Sequence, residues 1–137
     1  MSEARHTEPT LPVLSETARI ARDLIRFDTS NRGNGDANPE AEAAAYVADF
    51  LRGLGLEPQV LESNPGRASV IARVEGTDPA LPALVLHGHL DVVPADPANW
   101  SVDPFAGVVR DGMLWGRGAV DMKDMDAMML TSVAEIL

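Results

Sequence analysis

The sequence predicts an α/β chain with a mixed, largely parallel sheet flanked by helices. Three observations predict it. Helical and extended stretches alternate along the 137 residues. The apolar run Leu84-Val85-Leu86 reads as a short strand buried on both faces, the mark of a parallel sheet. Polar groups arrive only where that strand ends, as His87, His89 and Asp91, and ligands of open α/β sheets gather at the carboxyl ends of strands.

Residues 1–12 are polar, carry charges of both signs and read as a flexible tail, with His6 exposed in it. Ser15 is placed to cap a helix whose apolar side is Ala18, Ala21, Leu24 and Ile25, and which stops near Phe27. Residues 28–38 are rich in Asn, Gly and Asp and form a loop. Asn38-Pro39 restarts a helix, with Ala44, Ala45, Val47, Ala48, Leu51 and Leu54 as its buried stripe and Gly53 and Gly55 at its end. Residues 57–62 and 69–75 read as strands of a hairpin turned by Asn64-Pro65-Gly66-Arg67. A second hairpin pairs residues 107–110 with 113–115 through the Asp111-Gly112 turn. Gly116-Arg117-Gly118 then crosses into Asp121.

From Lys123 the pattern is helical again, with Met125, Met128, Met129, Val133, Ile136 and Leu137 on the apolar side. Methionines at this spacing read as core filling rather than as a cofactor box. Nothing in Ile136-Leu137 closes this helix, so the chain reads as the N-terminal part of a longer protein.

Eleven Lys and Arg against 21 Asp and Glu give a formal net charge of −10, which argues against nucleic acid or an anionic membrane as partner. The absence of cysteine excludes disulfides and thiolate metal sites. With no signal-peptide pattern and no run near the roughly 20 apolar residues that span a bilayer, the expected location is the cytoplasm.

Two places carry chemistry. His89 and Asp91 alternate in an extended segment and share a face; His89 is either a metal ligand steadied by the neighbouring acid or a core histidine satisfied by it. Asp121 follows a glycine-rich loop and opens a helix; it is either a carboxylate that bridges two divalent cations or an acid stabilised by the helix dipole.

The run Gly88-His89-Leu90-Asp91-Val92-Val93-Pro94 resembles the first signature of the zinc-dependent hydrolases that include acetylornithine deacetylase, succinyl-diaminopimelate desuccinylase, aminoacylase and carboxypeptidase G. The resemblance continues in order through Trp100, Asp103-Pro104-Phe105, Asp111-Gly112, Leu114, Gly116-Arg117-Gly118 and Asp121-Met122-Lys123. It implies a zinc-peptidase-like catalytic domain, of which residues 13–137 are the N-terminal part. His89 is then the ligand of one zinc, Asp121 the bridge between two, and Asp91 the catalytic acid that orients His89. Co2+ or Mn2+ are possible substitutes for Zn2+. A cis peptide is implied at Asp121-Met122, and Arg117 and Lys123 are expected to brace the loop.

The implied substrate is a small molecule, an N-acyl amino acid or short peptide, and the whole protein is implied to be a homodimer. The family's Glu-Glu pair, further acid and later histidine have no counterpart after Asp121, so the chain alone is expected to be inactive. Asp124 departs from the family's usual glycine. Two alternatives remain. One is a degenerate, non-catalytic relative that binds metal or a partner. The other, from His87-Gly88-His89-Leu90-Asp91, is a metallo-β-lactamase-like hydrolase, against which Val92 stands where that motif has histidine.

Overall fold

A computed structural model describes residues 14–137, so the tail over residues 1–12 and His6 lie outside the described residues. Helix α1, Glu16–Ile25, starts as its sequence dictates: the Ser15 hydroxyl accepts from the Ala18 amide at 3.2 Å, a cap that contributes about 1 kcal/mol. Its buried side is Ile20, Ala21, Leu24 and Ile25. The loop that follows contains a tight hairpin, β1 (Asn31–Gly33) with β2 (Asp36–Ala37). Asn34 and Gly35 turn it with φ of 53° and 84°, the left-handed pair that a two-residue hairpin turn requires.

Helix α2 runs Ala41–Gly53, two residues later than Asn38-Pro39 predicts. The Asn38 side chain does not cap it, because its Oδ1 accepts from Arg32 at 3.2 Å. The buried stripe is Ala43, Ala44, Ala48 and Leu51; Ala45 is exposed, turned away from that face. Strands β3 (Gln59–Asn64) and β4 (Arg67–Ile71) form the expected hairpin, with Gly66 at φ 79°, although the ladder ends at Ile71. A short 3-10 turn at Pro97–Asn99 precedes the second hairpin, β5 (Val108–Arg110) and β6 (Met113–Trp115).

Helix α3, Lys123–Ile136, lies along α1, where the Thr17 and Thr131 hydroxyls meet at 3.1 Å. Ile20, Ala21, Leu24, Leu51, Ala127 and Leu130 form the core where the three helices meet. Burial of each large aliphatic side chain there contributes about 1.5–3 kcal/mol. The face α3 presents inward is Lys123, Asp126, Ala127 and Leu130, not the methionine stripe. Met125, Met128, Ile136 and Leu137 are exposed, because among the described residues no element packs on that side.

The parallel sheet is not found. The described strands form three separate two-stranded antiparallel sheets, and the parallel pairing consists of one isolated bridge, Ser30 to Val92. Leu84, Val85 and Leu86, expected in a doubly covered strand, are 85%, 80% and 51% exposed and belong to no strand. A strand exists through hydrogen bonds to its neighbours, and among the described residues this run has none. No described helix is long and apolar enough to cross a membrane.

Candidate metal centre

Three loops converge beside the isolated bridge. Residues 89–93 are clamped to the segment after α1: Thr29 Oγ1 donates to the Leu90 carbonyl at 2.6 Å, the Val92 amide to Thr29 O at 3.1 Å, and the Asn31 amide to Val92 O at 2.8 Å. These bonds fix the backbone that carries His89 and Asp91.

Asp121 is placed by the glycine-rich crossing and by Lys123. The Arg117 amide donates to Pro104 O at 2.7 Å, and the Lys123 amide to Gly118 O at 3.0 Å. The Arg117 guanidinium stacks over the Trp100 ring, 5.2 Å from its centroid. Lys123 is wholly buried, and its Nζ donates to the carbonyls of Leu24 at 2.9 Å and Phe27 at 2.8 Å. A cation on the last carbonyls of a helix also meets the negative end of its dipole. Burial pushes the Lys123 pKa down to about 8, against the opposing pull of Asp28 and Asp126. Lys123 thus ties the start of α3 to the end of α1, as the bracing expectation requires. The Asp121-Met122 peptide is cis, also as expected.

The result brings His89 and Asp121 together. Nε2 of His89 lies 3.1 Å from Oδ1 of Asp121. Nδ1 lies 2.9 Å from the Asp91 backbone carbonyl and 3.3 Å from the Asp91 carboxylate oxygen Oδ1. The acid expected to steady the ring therefore does so mainly through its main chain, with the carboxylate alongside. His87 is exposed, belongs to no strand and makes no described hydrogen bond.

Both ring nitrogens of His89 thus face acceptors. An imidazole can satisfy that arrangement in two ways: both nitrogens protonated, or Nδ1 protonated and a cation on the Nε2 lone pair. Burial alone lowers the His89 pKa, but the Asp91 carbonyl and carboxylate and the Asp121 carboxylate together outweigh it and raise it. The 3.1 Å between Nε2 and Oδ1 is close to the ~3.3 Å that separates two ligands of one tetrahedral zinc. Asp121 is also 85% exposed, open to an arriving ion. These two donors therefore fit part of a metal shell. Among the described residues, no group of three or more His, Cys, Asp or Glu side chains could hold a metal ion.

The pair sits at an open cleft of about 580 Å³ whose lining includes Asn31, His89, Asp91, Arg117 and Asp121. Two residues near it escaped the sequence reading. Asn31 donates from Nδ2 to Asp91 Oδ2 at 2.8 Å. Glu40, 5% exposed, is ion-paired to Arg67 at 2.7 Å. Burial raises its pKa; Arg67 opposes this and the charge of Asp91 adds to it. The signal that could have found Asn31 is Asn34-Gly35, whose hairpin turn places Asn31 in a strand rather than a loose loop.

An α/β chain with an imidazole and a carboxylate converging on a cleft defines a candidate divalent-cation centre. Residues 85–137 match the sequence model of Peptidase family M20/M25/M40. Succinyl-diaminopimelate desuccinylase of Methylobacterium radiotolerans is 41% identical over 124 residues, covering 87% of this chain and 29% of that protein. Aminoacylase-1 of Sus scrofa is 39% identical over 95 residues, covering 69% of this chain and 23% of that protein. The crystal structure of human carnosine dipeptidase 1 superposes with a TM-score of 0.68 at 26% identity, covering 87% of this chain and 27% of that one. The chain is similar to Peptidase family M20/M25/M40 over residues 85–137 and to these relatives along most of its length, and it spans less than a third of theirs.

Proposed function

We propose that residues 13–137 are the N-terminal part of the catalytic domain of a metal-dependent hydrolase that cleaves the amide bond of an N-acyl amino acid or short peptide. The 3.1 Å approach of His89 Nε2 to Asp121 Oδ1 carries this reading. Zn2+ is the proposed metal, two ions per complete site. When bound, such ions lower the pKa of a shared water and polarise the amide carbonyl.

The chain's own residues do the rest. Hydrogen bonding of Nδ1 to Asp91 keeps the proton there and leaves the Nε2 lone pair for the metal. Asp121, exposed in the cleft, would hold metal through its carboxylate, as the bridging ligand that the resemblance implies. Asp91 holds negative charge behind the His89 ring and strengthens Nε2 as a donor. The names of the relatives, a desuccinylase, an aminoacylase and a dipeptidase, support the substrate class. The whole protein is proposed to act as a homodimer.

The test is zinc-dependent release of amine from N-succinyl and N-acetyl amino acids and from dipeptides by the whole protein that contains this chain. Turnover with at least one of these is expected, and His89→Ala is expected to lower catalytic efficiency by about 100-fold or more. Undiminished turnover in that variant would sink the metal-ligand role. Retained zinc uptake without any turnover would favour a non-catalytic relative instead. The 137-residue chain alone is expected to turn nothing over, since the only carboxylates after Asp121 are Asp124, Asp126 and Glu135, all on α3.

A further inference from the structure

We propose that Asn31 is a positioning residue for the metal centre: its side-chain amide holds the Asp91 carboxylate in the orientation that supports the His89 ring. The proposal rests on the metal reading above.

Asn31 is fixed from three sides. Its backbone amide donates to Val92 O at 2.8 Å, and its Oδ1 accepts from the Gly33 amide at 2.9 Å. Its Nδ2 then points at Asp91 Oδ2, 2.8 Å away. The two ends of the side chain agree on one orientation. A flipped amide would set two N–H groups against each other at Gly33 and oxygen against oxygen at Asp91.

Asp91 is held in turn at both of its oxygens. Oδ2 takes the Asn31 bond, and Oδ1 stands 3.3 Å from His89 Nδ1. Among the described residues, the Asn31 amide and the His89 ring are the side-chain donors within reach of this carboxylate. Asp91 lines the open cleft, so without Asn31 its carboxylate is free to turn toward water. The chain of contacts therefore runs Asn31, Asp91, His89, Asp121, from one hairpin strand through the bridge segment to the start of α3. Leucine, an apolar side chain of nearly the same shape, would keep the backbone bond to Val92 and lose only the links to Asp91 and Gly33.

The experiment is a calorimetric Zn2+ titration at pH 7 of the whole protein that contains this chain, unsubstituted and as Asn31→Leu, Asn31→Ser, Asp91→Ala, and Asn31→Leu combined with Asp91→Ala. Serine keeps a hydroxyl for the Gly33 turn but is too short to reach Asp91, so it guards against a variant that misfolds. Both single changes at Asn31 are expected to weaken Zn2+ binding about tenfold, the low end for residues that orient a ligand. In the Asp91→Ala background, Asn31→Leu is expected to change affinity less than twofold, because its route to the metal is gone. Equal losses in both backgrounds, or no loss in either single variant, would overturn the role of Asn31 and leave the metal reading intact. If the unsubstituted whole protein binds Zn2+ no better than its His89→Ala variant, the metal reading itself fails, and the proposal with it.

Discussion

Nε2 of His89 stands 3.1 Å from Oδ1 of Asp121, although 32 residues and a whole hairpin separate them in the chain. Two anchors produce this approach. The segment carrying His89 is hydrogen-bonded to Thr29, just past the end of α1, and the loop carrying Asp121 is tied to the end of α1 and the turn after it by Lys123. The end of α1 is thus the common reference for both ligands.

Lys123→Met tests that reference. Methionine fills nearly the same volume but leaves the carbonyls of Leu24 and Phe27 without their donor. The change is expected to destabilise the chain by about 2–4 kcal/mol, the cost of abandoning buried polar groups. Urea unfolding measures it. A loss under about 0.5 kcal/mol would show that the buried ammonium contributes little.

Gly88 tests the approach of α3 to the His89 segment. A Cβ there would collide with the Asp126 carboxylate and come within 2.8 Å of Met129 Cε. Gly88→Ala is expected to cost about 1–3 kcal/mol by overpacking. The same change made in Asp126→Ala should cost measurably less, since the first obstacle is removed. Equal shifts in thermal midpoint in the two backgrounds would contradict the contact.

Asp126 gives a pH dependence with a definite sign. Burial pushes its carboxyl pKa up from 3.8 to about 6, against the pull of His89 and Lys123. Between those values the folded chain holds a proton that the unfolded chain has released, so this group makes stability fall as pH rises from about 4 to about 6. Below that window it exerts no penalty; above it the penalty is complete, at most about 3 kcal/mol. Asp126→Asn removes the charge at nearly constant shape. Its expected result is a chain more stable than the original at pH 7, with the difference shrinking toward pH 4. An Asn variant that is less stable at pH 7 by more than about 1 kcal/mol would show that the charged form is the stabilising one.

Much of this was legible in the sequence because it is local. The Ser15 cap, the Pro65-Gly66 and Asp111-Gly112 turns and the start of α3 depend on residues within a few positions of one another. His89 and Asp121 were legible as a pair through a family resemblance, not through spacing. What was not legible depends on partners distant in the chain. Leu84-Val85-Leu86 has the composition of a buried strand, but composition supplies no neighbouring strand, and the run is left exposed. The α3 methionines fit helical spacing, yet α1 selects the Lys123, Asp126, Ala127 and Leu130 face instead. Asn31 looked like any asparagine in a glycine-rich loop. Its contact with Asp91 spans 60 residues.

The most direct measurement is nitrogen NMR of the His89 imidazole during Zn2+ titration of the whole protein that contains this chain. The predicted result is a shift of Nε2 on metal binding while Nδ1 keeps its proton against Asp91, with Asp121→Asn weakening the effect. Metal on Nδ1, or no response from either nitrogen, would contradict the centre built on His89 and Asp121.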